Sequence, residues 1–527
     1  QSLVGDGSTD NQETYNTAVG YFAGKEITSG THNTLMGGLA GDALTTGNFN
    51  VAVGYLALST EDAHQCNVAV GTAALQHQNA GADGHNVAVG HDAGKFMTTG
   101  VNSTLVGSLA GDALTTGEGN VALGKSALST ETTGGKNTAI GARSQEDVNN
   151  SGNGNNTSVG FESMLNATTA VANTAIGSSA MGGGVLTGDF NVVVGYLSGL
   201  DLTSGSNNVL VGAQAGTNLT IGIANTALGK DALSTSVDGD NNVAIGFSAL
   251  KNYEDGDGNG NNTAVGANSQ LNASTGENNT SLGSHAFGTG VLTGDNNIAI
   301  GNNSGNALTS GSANILIGRD AGDALTSGAN NVAIGQEALS TQVIHGQNVA
   351  VGFNALRVQN VNGHGNNTAV GMQAGLSVTT GTNNTLIGSA AGDALTTGAN
   401  NVALGVSALG STTTAANNIA IGTSALNVNV NGASSIAIGL QSLAQQLPSG
   451  ASVIHNVCVG QKTGFAVTTG IQNTLIGGLA GDAIDTGDNN IIIGYNAAAS
   501  ATGVDNTTVV GTTATTSALV HGLKQPV

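Results

Sequence analysis

Residues able to do chemistry are sparse in this 527-residue chain. Ten histidines occur, at His32, His64, His77, His85, His91, His285, His345, His364, His455 and His521. None makes an HExxH pair or a tight His–Cys cluster, the arrangements that hold zinc. His85 and His91 flank one predicted strand without a paired carboxylate, so all ten read as surface-loop residues. No serine sits in a Gly-x-Ser-x-Gly frame, and no two carboxylates show a spacing recognisable for glycoside cleavage. The sequence therefore predicts no catalytic residue and no enzyme. Calcium is the one cofactor it suggests. In "YEDGDGNGNN" at 253–262, Asp255, Asp257 and Asn259 alternate with glycine, which can turn several oxygens towards one hard cation. Asp6 and Asp10 offer a second set, and the Asp of a recurring "AGDA" (Asp42, Asp112, Asp323, Asp393, Asp482) reads as a ligand or a turn cap. No complete EF-hand pattern accompanies them.

What could position such groups follows from composition. There are 84 Gly, no Trp, 2 Pro and 3% aromatic residues, so a thick globular core has few large side chains to fill it. Hydrophobic residues still make up 39% and charged ones only 8%, which argues against disorder. The formal charge of −22 leaves no basic surface for phosphates and repels anionic lipid, so neither nucleic acid nor membrane is an expected partner. No run of 18 apolar residues occurs either. Cys66 and Cys458 lie far apart at or beside predicted strands, and read as two small buried side chains rather than a disulfide framework.

The apolar residues are phased by a repeat, Asn-(Thr/Val/Ile)-Ala-(Val/Ile/Leu)-Gly, as in "NTAVG" at 16–20 and "NVAIG" at 331–335. Its closing glycine recurs 29 times from Gly20 to Gly511; of the 28 intervals, 21 are 17 residues and none is shorter. A coil that must return to the same lateral position one layer higher can bulge outward but cannot easily omit a residue. The insertions, such as 75–86 and 250–262, are therefore placed on solvent-facing corners. Seventeen residues are too few for a βαβ unit. The fold predicted is all-β, a parallel β-solenoid (β-roll) of about 29 coils, each with a short strand, a corner, a second strand or extended segment, and a turn. Residues 1–15 and 512–527 are assigned as caps or junctions, and 16–511 as continuous solenoid. A longer period of 70 residues links Gly37, Gly107 and Gly177, and again Gly318 and Gly388. Duplication of a four-coil block or a function carried once per block would each explain it.

Alternation along the strand suggests that Thr17, Val19 and their equivalents point inward as a β-branched seam, with Ala18 and its equivalents outward. An outward ladder of Ala, with Leu35, Leu105, Leu210, Leu316, Leu386 and Leu475, would need covering, most simply by another copy of the chain. The Asn that opens each motif is expected to form a hydrogen-bonded ladder along the axis. A threonine surface that binds ice or mineral is set aside here, because the Thr column is read as buried. Glycosylation sequons are numerous, including those at Asn102, Asn156, Asn166, Asn218, Asn272 and Asn506, and would matter only in a secreted eukaryotic protein.

"NTAVG", "NVAIG" and "NTAIGSSA" resemble the repeats of trimeric autotransporter adhesin heads and of viral tail fibres. The resemblance runs from Asn16 to Gly511. It implies a left-handed β-roll, a homotrimer, and attachment to host-surface protein or glycan. The 17-residue coil is longer than the usual adhesin repeat, and no stalk, neck or membrane barrel is present in these residues. The expected function is an extracellular, cell-surface or virion fibre that mediates attachment; the alternative is a self-assembling filament or surface-layer subunit without a dedicated ligand.

Overall fold

The computed structural model describes residues 14–254, 260–344, 346–361, 363–450 and 452–512. Asp255, Asp257 and Asn259, with Asp6, Asp10, His345 and His521, lie outside the described residues. The chain is all-β, with no helix among the described residues, and forms a parallel β-solenoid of about 29 coils. It clusters into two compact units, Gln1–Asn268 and Ser269–Val527.

The first unit carries fifteen three-residue strands, from β1 (Thr17–Val19) to β15 (Thr263–Val265). Successive strands pair in parallel with like residues opposed: Val51 meets Val68, Ala52 meets Ala69, Val53 meets Val70. The second unit continues the style from β16 (Thr280–Leu282) to β31 (Thr508–Val510). It also holds a separate two-stranded pair, β25 (Gly432–Ala433) with β27 (Ser452–Val453). Apart from that pair, each coil has one strand among the described residues. The expected second strand is instead a run of turns. The residues two and four after the closing glycine, and the one before the motif Asn, take left-handed dihedrals, as in Leu56 (φ 57), Leu58 (φ 55) and Phe49 (φ 56). Backbone in that region cannot pleat into a strand.

The alternation expected along the strand is reversed. Ala52, Ala69 and Ala122 at strand centres are wholly buried, as are Leu35, Leu105, Leu210, Leu316, Leu386 and Leu475. Their flanking Thr, Val, Ile and Leu neighbours face outward. The physical reason is width. The interior of so small a coil is already filled by the Ala or Ser three residues after the glycine and the residue seven after it, which is apolar in many coils, as with Ala40 and Leu44. Little room remains for a second β-branched pair.

The core is closed by size complementarity. Where the strand centre is Leu, the residue four after the closing glycine is Gly. Where the centre is Ala, that residue is Gly or a large one. A Cβ on Gly41 would lie 2.8 Å from Leu35 Cδ2, and one on Gly94 would lie 2.8 Å from Leu105 Cδ1 and 2.9 Å from Leu75 Cδ2. The order Ala/Gly, Leu/Gly, Ala/Leu, Ala/Leu is read in the coils closing at Gly20, Gly37, Gly54 and Gly71, and again from Gly301 to Gly352 and from Gly371 to Gly422. The 70-residue period is thus a packing period: four layers must pass before large and small side chains interlock again.

Two axial ladders hold the layers in register. Asn50 N–H donates to Asn33 Oδ1 (2.9 Å), Asn67 N–H to Asn50 Oδ1 (3.0 Å), and Asn33 Nδ2 to Gly47 O (2.8 Å). The ladder is therefore amide to backbone in these coils; amide-to-amide contacts join it elsewhere, as from Asn208 Nδ2 to Asn191 Oδ1 (3.1 Å). The unusual dihedral belongs to the residue before the Asn, not to the Asn itself. The Thr of "TTG" adds a second ladder, with Thr115 Oγ1 donating to Thr132 O (2.9 Å) and Thr396 Oγ1 to Thr413 O (3.0 Å).

The closing glycine is required twice over. Gly124 has φ 143, and a Cβ there would stand 2.4 Å from Gly141 O in the next coil. No side chain fits that approach.

Candidate functional site

The residues turned outward define the most distinctive surface. The residue before each closing glycine is Val, Ile, Leu or Met in all 29 coils. The residue two earlier is Val or Ile in 16 and Thr in 13. No charged residue occurs in any of these strands, although the chain carries 33 acidic and 11 basic side chains. Val19, Leu123, Leu228 and Leu282 remain 46–55% exposed. Along one margin, immediately after the glycine, stand exposed Tyr21, Tyr55, Phe161, Tyr196 and Phe247 in the first unit, and Phe353 and Tyr495 in the second. Tyr55 lies over Gly38, and Tyr495 over Gly478, so a glycine in one coil seats an aromatic ring of the next.

The extent of this surface follows from the stacking. Fifteen strands at about 4.8 Å span roughly 67 Å in the first unit, and fourteen span roughly 62 Å in the second. A two-column strip about 10 Å wide then offers on the order of 650 Å² per unit. Thr fills 13 places of one column, so the apolar part of the strip is the aliphatic column with the Val and Ile beside it, and an apolar stripe of this length is a feature of interaction surfaces. The premise that an outward Ala row needs cover is overturned, since that row is inside. The outward row is larger and more apolar than expected. Its Thr residues also face outward, against the reading that buried them, but they occupy one column only.

The titratable groups are placed as follows. Cys458 is buried at the centre of its strand, where burial pushes its thiol pKa far up, whereas Cys66 is half-buried at a corner. His91 does have a carboxylate neighbour, Asp92 Oδ2 at 3.4 Å. Asn156 is wholly buried in the Asn ladder, so its sequon cannot accept a glycan as folded. Burial raises the carboxyl pKa of Asp42, Asp112, Asp323 and Asp393 above the ordinary 3.8. Oδ1 of the first three is buried without a partner.

One cluster escaped the sequence reading. His64, taken for a loop residue, sets Nδ1 2.7 Å from Oε1 of the fully buried Glu61, with Asp62 beside them. The signal available was Glu-x-x-His at a core position that in other coils holds Leu44 or Leu114.

No protein-family description and no curated protein matches the chain. The fold and the surface define a class nonetheless: a parallel β-solenoid whose outer strand face in each unit carries aliphatic residues and threonine and no charge.

Proposed function

We propose that this protein is a structural fibre component that assembles with copies of itself through the outer sheet face, as a homotrimer or filament, outside the cell or on a cell or virion surface. The observation that carries the reading is the all-aliphatic column before the closing glycine, free of charge and half-buried to exposed along its length. Burying it costs no ion desolvation, while the net charge of −22 sits on other faces and limits unspecific clumping. The role is mechanical and not enzymatic. Placing a lysine in the column tests it: Ile317→Lys with Ile334→Lys is expected to lower the mass in light scattering to that of single chains. Retention of the assembled mass would refute the reading.

Attachment to a host-surface protein or glycan is the second reading, and the seven longer coils favour it. Pure scaffolding gains nothing from added corner residues such as Ala82 and Asp83, which are exposed. Trimming such an insertion should abolish surface binding while leaving the assembled mass unchanged.

A further inference from the structure

We infer that Glu61, Asp62 and His64 form a corner site for a first-row divalent cation of the zinc type, bound through one imidazole nitrogen and two carboxylates.

The argument starts from what a buried carboxylate requires. Glu61 occupies the core position seven residues after the closing Gly54, where Leu44 sits one coil earlier. The equivalent position 70 residues on is Glu131, also wholly buried. Glu131 is satisfied by backbone alone. Its Oε1 accepts the N–H groups of Thr132 (2.9 Å), Thr133 (3.2 Å) and Gly134 (2.7 Å), and its Oε2 accepts that of Asn150 (2.9 Å). Glu61 receives one backbone N–H, from His64 at 3.0 Å, and its Oε2 is buried with no partner. Gln78, at the same place one coil on, gives no relief. Its Nε2 goes to Gly100 O (3.1 Å) and its Oε1 also lacks a donor. A buried carboxylate oxygen left without a donor is expensive.

Where Glu131 has backbone donors, Glu61 has one imidazole, and a second carboxylate beside it adds negative charge that a cation would balance. One ligand atom from each of the three residues lies within 4.8 Å of the others. His64 Nδ1 is 2.7 Å from Glu61 Oε1 and 4.0 Å from Asp62 Oδ1. Zinc bonds of about 2.0–2.2 Å in a tetrahedron set ligand atoms roughly 3.3–3.5 Å apart, between those two separations. Small side-chain rotations therefore suffice. Asp62 is 51% exposed and His64 20%, so an ion can enter from solvent and keep water as its fourth ligand. Nitrogen with carboxylate selects zinc-type ions over calcium, which takes oxygen. On binding, Nδ1 gives up its proton to solvent or takes the Nε2–H tautomer, and the doubly positive ion balances Glu61 and Asp62.

The test is a calorimetric titration of the full chain with Zn²⁺, with Co²⁺ absorption as a second probe. One site per chain is expected, weakened at least tenfold in Glu61→Gln and in His64→Ala, and unchanged in the control His285→Ala. The exposed Asp62→Asn, which leaves the core intact, should weaken it less. No binding by the unaltered chain, or binding indifferent to both His64→Ala and Asp62→Asn, would overturn the assignment. Zn²⁺ should also raise the melting temperature of the unaltered chain but not of His64→Ala; equal shifts would count against it.

Discussion

At the scale of single residues, backbone geometry and axial hydrogen bonds fix what each position tolerates. Gly124→Ala would force a Cβ against Gly141 O at a dihedral that strains any side chain. A loss on the order of 1–3 kcal/mol from strain alone is expected, read as faster amide hydrogen exchange in the coils either side. Asn208→Ala removes the acceptor for Asn225 N–H (2.9 Å) and the donor to Gly222 O (2.8 Å). Each orphaned buried group costs about 1–3 kcal/mol, so that variant should melt well below the unaltered chain. The half-buried aspartates predict an unusual pH response. Their folded pKa lies above the unfolded value, so their contribution to stability is full below about pH 3.8 and is lost as pH rises through the folded pKa. Asp112→Asn, which mimics the protonated form, should raise the melting temperature at pH 7 and make no difference at pH 3. A lower melting temperature at pH 7 would show that Asp112 is compensated by something other than its neighbours in this coil.

At the scale of the element, the coil, the sequence was legible in part. The period, the parallel stacking, the solvent-facing corners and the Asn ladder follow from spacing, because each is set by the rule that the chain must return to the same place every 17 residues. The facing of the strand did not follow. A three-residue strand such as Val51-Ala52-Val53 alternates whichever way it is turned, and hydrophobicity ranks Val above Ala. Only the volume left by Ala57 and Leu58 decides that Ala52 goes in, and that volume belongs to the turns. Those turns carry ordinary residues at left-handed dihedrals, which give no composition signal. The interlock of large and small side chains makes its own prediction. Leu316→Ala should cost about 2–5 kcal/mol, and Gly322→Ala should also destabilise, since its Cβ would stand 2.9 Å from Leu316 Cδ2. Denaturant unfolding of the two variants checks both losses. The Glu61–His64 pairing was in principle readable, as an acid at a position that other coils fill with Leu. It matches no known metal motif and shows only as a departure from the repeat.

At the scale of the whole molecule, charge is separated from the outer strand face. All 29 strands are uncharged, and the aliphatic column on their outer side is what two copies can share. Sedimentation equilibrium of the 527-residue chain at micromolar concentration measures this most directly. The expected mass is a multiple of 51.2 kDa, reduced to 51.2 kDa when lysines enter the column. A unaltered chain that sediments at 51.2 kDa across that range, with its aliphatic column open to water, would contradict it.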